Sequence, residues 1–275
     1  PVHLELLGTL EAIVEAKAEI LVGLGGEGTA VVPADAEALQ PHLSESVATI
    51  SFGPGGDVHV LEVEVEMAAG TTAAVIATPA GEERFRLPFT EAHNLTNALA
   101  AIAIGLSLDL PLAELSRRTP EIVFSRLRGE LIELAEDVVL INDCYNANPV
   151  SMRAALEHLR ALRRPGRMVA VLGGMAELGP DAATYHREVA AVARELGAKP
   201  IVGVGELARD YSPDEWSPDA RSAAAIVADL LEPGDAVLVK GSRAIGLEAV
   251  AEALAGPGGD PEPAPDAKRR AGADG

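Results

Sequence analysis

Val138-Val139-Leu140-Ile141-Asn142-Asp143-Cys144-Tyr145-Asn146-Ala147-Asn148-Pro149 is the stretch on which the reading of the fold turns. An unbroken apolar run of this length, followed by turn residues, reads as a strand buried on both faces. It empties into a carboxylate, a phenol and several amides, and Pro149 suits the first position of a helix. In open α/β sheets, ligands bind in the crevice beyond the carboxyl ends of the strands. The stretch therefore predicts a strand, a polar loop placed where a ligand would sit, and a helix.

Outward toward the C-terminus the same pattern recurs. Strands are predicted at 131–134, 168–172, 200–204 and 236–239, and helices at 149–162, 181–196, 221–231 and 244–254. Strands alternating with helices mean βαβ units around a mostly parallel sheet, so residues 121–256 are expected to form a Rossmann-like α/β domain. The segment 257–275, rich in Pro, Gly, Ala and charge, is expected to be disordered. Toward the N-terminus the spacing predicts helices at 10–21, 93–106 and 111–118. Period-two strands are expected at 58–65 and 72–78, with one face in solvent, beside a shorter strand at 29–32. Thr119-Pro120 breaks this series, and residues 1–120 are read as a separate domain.

Composition narrows the function. A formal charge of −20 disfavours nucleic acid or an anionic membrane as partner, leaving a small-molecule site as the default. One cysteine cannot make an internal disulfide, and no apolar run approaches the roughly 20 residues that span a bilayer. A cytoplasmic setting and a monomer are expected. Aromatic residues make up 3% of the chain, so Ala, Val, Leu and Ile must build the core. The chain opens Pro1-Val2-His3 without an initiator Met, and reads as a fragment that starts within a longer protein.

Several groups could carry chemistry, each with a plainer alternative. His93, Asn94 and Asn97 at a helix start suit a purine edge or an anion, or are simply first-turn capping residues. Lys17, on a helix, is either a solvated cation or, only if its amine is converted to a carbamate, an oxygen ligand that brackets a metal with His3. Arg126 and Arg128 could hold phosphate or ribose, or be surface charge. Asp143, Tyr145, Asn146 and Asn148 could face a ligand, or be turn and cap residues. The loops Gly173-Gly174-Met175-Ala176-Glu177-Leu178-Gly179 and Lys240-Gly241-Ser242-Arg243 also follow strands; the second could seize a carboxylate. Cys144 is read as a small buried residue.

Taken in order, HLELLGTLEAIVEAKAEI, HNLTNALAA, DCYNANPVSM, GGMAELG and VKGSR resemble the Mur ligases, from His3 to about residue 254. The Asn-Ala-Asn-Pro and Met-Ala-Glu-Leu-Gly forms favour the branch that adds D-Ala-D-Ala to UDP-N-acetylmuramoyl-tripeptide, with folylpolyglutamate synthase a more distant cousin. The resemblance implies the later part of a P-loop-type central ATPase domain followed by the Rossmann-like C-terminal domain. It further implies ATP-driven amide formation through an acyl phosphate, in peptidoglycan precursor synthesis. By the same resemblance, a carbamylated Lys17 and His3 serve a Mg²⁺ site, Asn94 and Asn97 contact adenine, and Arg128 and Asp143 contact the nucleotide. Asn146 and Asn148 then face the reacting phosphate or the incoming dipeptide. The sequence departs from the family in lacking any G-x-x-x-x-G-K-[ST] loop, so this chain is not expected to turn over alone. Glu91 replaces the usual Gly before x-His-Asn, which places a negative charge near nucleotide phosphates. A non-catalytic Rossmann-like module that binds a nucleotide or a partner is the second reading.

Overall fold

The computed structural model describes residues 9–26, 28–122, 127–162 and 164–256. His3, Arg126 and the segment expected to be disordered at 257–275 lie outside them.

The first half begins with α1 (Leu10–Val22), whose amino end is capped by the Thr9 hydroxyl accepting from Ala12 N at 3.1 Å. Strands β1 (Thr29–Pro33) and β2 (Ala48–Phe52) pair in parallel. β2 was not anticipated, because Ala48-Thr49-Ile50-Ser51-Phe52 is short and buries only its last residue. Strands β3 (His59–Glu66), β4 (Thr71–Thr78) and β5 (Gly81–Leu87) form an antiparallel meander. On β4 the alternation behaves as read, with Thr72, Ala74 and Ile76 facing inward. β3 departs from the expectation of one wet face: it is an edge strand, and residues 61–66 are exposed on both faces.

Helix α2 (Ala92–Ser107) covers this half of the protein, and α3 (Leu112–Arg118) packs beside it. The core gathers Phe52, Val58, Ile76, Phe85, Leu87, Phe89, Leu99, Ile102 and Ala103. Three of the chain's four phenylalanines are therefore spent here. In the second half the packing is mostly aliphatic, as composition suggests, with Tyr211 the one fully buried aromatic ring among its described core residues.

There the strands are β6 (Glu130–Glu133), β7 (Val139–Asp143), β8 (Met168–Gly173), β9 (Ala198–Val204), β10 (Glu215–Ser217) and β11 (Ala236–Lys240). They form one sheet in the order β10-β9-β8-β11-β7-β6, parallel except for β6. Helices α4 (Pro149–Ala161) and α5 (Ala182–Glu195) cover one face; α6 (Ala220–Leu230) and α7 (Glu248–Ala255) cover the other. The apolar runs work as buried strands must. Ile141, Ala170, Leu172 and Leu238 pack toward α4 and α5, while Leu140, Val169, Val171, Val237 and Val239 pack toward α6 and α7. Each of the Val, Leu and Ile side chains contributes about 1.5–3 kcal/mol on burial.

The last helix differs from the expectation that it begins at residue 244. Arg243–Ile245 is a single 3₁₀ turn, ended by Gly246 at φ 70°, and α7 starts only at Glu248. A left-handed residue breaks the hydrogen-bond ladder, so the helix must be re-initiated beyond it.

Candidate active site

The carboxyl ends of β7, β8 and β11 lie side by side and build one polar edge. Lys240, the last residue of β11, is 2% exposed, and its ammonium is wholly engaged. It donates to Asp143 Oδ2 at 2.6 Å and to the Asn146 carbonyl at 2.9 Å. The carboxylate that the Lys240 loop was read as able to seize is thus the protein's own. Asn146 Oδ1 accepts from Ala147 N at 2.8 Å, and Asn148 caps α4 by accepting from Ser151 N at 2.9 Å. Ser151 Oγ in turn accepts from Asn148 N, a reciprocal capping box. Asp143, Asn146 and Asn148 are therefore pre-set by internal bonds. Cys144 is buried, its thiol donates to the Val239 carbonyl, and burial pushes its pKa far up, so it is not a nucleophile.

The neighbouring loop after β8 is held from beneath. His186 on α5 is fully buried; its Nε2 accepts from Met175 N at 2.9 Å and its Nδ1 lies 2.6 Å from the Ala182 carbonyl. These partners fix the neutral Nδ1–H tautomer, and burial lowers the pKa further. Tyr211 packs on that ring at 4.8 Å and donates its hydroxyl to the Gly173 carbonyl at 3.0 Å. Ser242 Oγ accepts from Ala176 N at 2.8 Å, which ties this loop to the one after β11. Gly173 and Gly241 meet so closely that a Cβ on Gly241 would stand 2.9 Å from Gly173 Cα. His186 was not singled out in the sequence, yet it lies on the same helical stripe as Val189, Ala190 and Ala193, which marks it as buried.

Residues of the first half come up to this edge. Glu91 precedes α2, and its Oε2 accepts from Thr90 N at 3.1 Å and Asn94 Nδ2 at 3.4 Å. Asn97 Nδ2 reaches Asn94 Oδ1 at 3.3 Å. Asn94 is buried; Asn97 and His93 are exposed. The Glu91 Oε1 atom lies 3.5 Å from His158 Nδ1 on α4, a contact between side chains only 10% and 6% exposed. Arg128 stacks its guanidinium 4.0 Å from the Tyr145 ring centroid. Tyr145 N donates to the Leu127 carbonyl at 3.1 Å, which fixes the approach of Arg128 to the β7 loop.

Lys17 is exposed on α1, and its side chain could serve a metal only as a carbamate, because an ammonium offers no lone pair. Among the described residues no group of three or more His, Cys, Asp or Glu could hold a metal ion. The expected partner of Lys17, His3, lies outside the described residues. A hollow of about 1120 Å³ lies at the opposite, amino end of the strands. Its arginines are committed: Arg167 to Asp235 and Glu232, Arg164 to Asp137, and Arg160 to the Leu196 carbonyl.

A sheet with a polar carboxyl edge, approached by an Asn-bearing helix start and a stacked arginine, has counterparts among known proteins. The Mur ligase middle domain matches residues 1–105, and the Mur ligase, glutamate ligase domain matches residues 127–243. The chain belongs to the Mur ligase family and carries these two domains. Its relatives include the UDP-N-acetylmuramoyl-tripeptide–D-alanyl-D-alanine ligase of Bacillus subtilis, 31% identical over 92% of this chain and 56% of that protein. The ligase of the same name from Mycobacterium tuberculosis is 33% identical over the same shares. Among solved structures, MurF from Acinetobacter baumannii aligns with a TM-score of 0.80 at 31% identity, over 90% of this chain and 56% of that one. MurF from Thermotoga maritima, solved with ADP, aligns at 0.76 and 26% identity, over 92% and 58%. The chain thus spans somewhat over half the length of these relatives.

Proposed function

We propose that the chain is the later part of an ATP-dependent amide ligase of peptidoglycan precursor synthesis, joining D-Ala-D-Ala to UDP-N-acetylmuramoyl-tripeptide. The observation that carries this reading is the meeting of the two matched domains: Glu91, which holds Asn94, touches His158 on the helix that follows the β7 loop, and Arg128 stacks on Tyr145 of that loop. In this reading residues 1–120 belong to the central ATPase domain and 121–256 to the C-terminal domain. No helix among the described residues is long and apolar enough to cross a membrane, which suits a soluble precursor as substrate.

The chemistry is two displacements. A carboxylate oxygen of the tripeptide attacks the γ-phosphorus, the bond to ADP breaks, and an acyl phosphate forms. The D-Ala-D-Ala amine then attacks the carbonyl carbon, loses a proton, and phosphate departs. Little covalent work falls to the protein, so positioning is its main contribution. Asn94 and Asn97 would take the adenine edge, and Arg128, held over the Tyr145 ring, would present its outer N–H groups to ribose or phosphate. Asp143, immobilised by Lys240, would contact the nucleotide from the other side, and Asn146 and Asn148 would line the approach of the dipeptide. A carbamylated Lys17 would supply an anionic oxygen to a Mg²⁺ ion.

The test is phosphate release from ATP by a polypeptide carrying this chain together with a phosphate-binding loop. Release should require both UDP-N-acetylmuramoyl-tripeptide and D-Ala-D-Ala, and this chain alone should show none. Equal release with another amino acid in place of D-Ala-D-Ala would reassign the substrate; release with neither would refute the ligase reading.

A further inference from the structure

Glu91 and His158 bring the two halves into contact, 3.5 Å apart, with side chains only 10% and 6% exposed. Three further observations mark the contact as built. Gly129 lies against Glu91 so closely that a Cβ there would stand 2.7 Å from Oε1, and its φ of 70° already favours glycine. Glu91 Oε2 is tied to Thr90 N and Asn94 Nδ2. His158 Nε2 is buried without a hydrogen-bond partner, so only its Nδ1 side is spoken for.

A carboxylate has no proton to give, so Asn94 must turn its NH₂ toward Glu91. That leaves Asn94 Oδ1 as an acceptor, toward which Asn97 turns its own NH₂ at 3.3 Å. The oxygen of exposed Asn97 is then an acceptor open to a ligand. An outward acceptor matches the amino edge of adenine and opposes the carbonyl edge of guanine.

We propose that Glu91 and His158 are positioning residues that latch the two halves together and set the Asn94–Asn97 amides to an adenine-accepting polarity. The adenine part rests on the ligase reading above; the latch part does not. Glu91, His93 and Asp143 are the titratable groups facing His158, and Asp143 is itself paired with Lys240. Burial, the largest influence, lowers the His158 pKa despite the attraction of Glu91. A second proton would also leave Nε2–H buried without an acceptor. Because the closed arrangement holds the neutral ring, the latch is complete above the ordinary histidine pKa of about 6.5 and weakens as pH falls below it.

The experiment measures ADP and GDP affinity by calorimetry, and the radius of gyration by X-ray scattering without ligand, between about pH 8 and 5.5. Wild type, Glu91→Gln and His158→Asn are compared. Wild type should bind ADP better than GDP and expand on acidification. Glu91→Gln, whose amide can give or accept, should lose about tenfold of the ADP preference. His158→Asn, which keeps a donor at the Nδ1 position but cannot titrate, should stay compact and bind ADP at both pH values. Wild type and His158→Asn sharing one pH profile, with the ADP preference intact in Glu91→Gln, would overturn the proposal and leave the ligase reading standing. Absence of ADP binding by wild type, with acid expansion confined to proteins carrying His158, would uphold the latch and overturn the nucleotide reading.

Discussion

The Lys240–Asp143 pair makes an asymmetric prediction. Lys240 is 2% exposed, whereas the Asp143 side chain retains 18% exposure. Asp143→Ala strands an ammonium in the interior with only the carbonyls of Asn146 and Asp143 near it, at 2.9 and 3.5 Å. Removing one partner of a buried pair costs about 3–5 kcal/mol. Lys240→Met replaces the stem with an apolar chain of similar length and leaves a carboxylate that can still reach water. Its cost is chiefly the lost donor to the Asn146 carbonyl, about 1–2 kcal/mol. Asp143→Asn, which keeps an oxygen for Lys240, should fall between them. The assay is urea unfolding followed by the fluorescence of Trp216, the chain's one tryptophan, which sits on β10 of the same sheet. A Lys240→Met penalty equal to or above that of Asp143→Ala would refute the argument, because it would mean the buried charge is not what the pair relieves.

Three other outcomes are expected. Asp235 is buried, and although burial alone would raise its pKa, hydrogen bonds from Arg167 and Glu232 N hold it below the usual carboxylate value. Its stabilisation is present above about pH 3.9 and lost as pH falls through the depressed value, so Asp235→Asn should flatten the acid limb of a stability-versus-pH curve. His186→Phe keeps the ring but removes the acceptor for Met175 N; a loss of about 1–3 kcal/mol is expected in thermal unfolding. Since the native pKa of His186 is lowered, the wild-type advantage should shrink as pH drops below about 6.5. Gly241→Ala would press a methyl group against Gly173 Cα and Leu247 Cδ1, at 2.9 and 2.7 Å, and should cost about 1–3 kcal/mol by denaturant titration.

The alternating architecture of the second half was legible because unbroken apolar strands and amphipathic helices carry different periods. Short strands escaped for the same reason: β2 and β10 bury too little to mark a period, and they exist because a neighbour supplies the pairing. The meander strand β3 misled by alternating cleanly while exposing both faces, since alternation reports on side-chain chemistry and not on what lies above it. At the site, residue types were legible but their partners were not. Nothing in the local sequence says that Lys240 answers Asp143 or that Glu91 meets His158, because both pairs are made by tertiary packing. The helix stripes did hold a signal for His158 and His186, which stand among buried apolar positions.

The sheet order also dictates when the polar edge can come into being. β7 and β8 follow one another along the chain but are not neighbours; the slot between them belongs to β11. Lys240 reaches Asp143 across a sequence separation of 97 residues. During synthesis the β7 loop therefore leaves the ribosome long before the strand that pins it, and until then two buried-type strand edges stand open. Non-local pairing of this kind folds late and leaves incomplete chains prone to aggregation. A nascent chain arrested before Ala236 should be cut by protease within this sheet, and one extended past Ala255 should resist. Equal resistance would show that the sheet closes without its last strand.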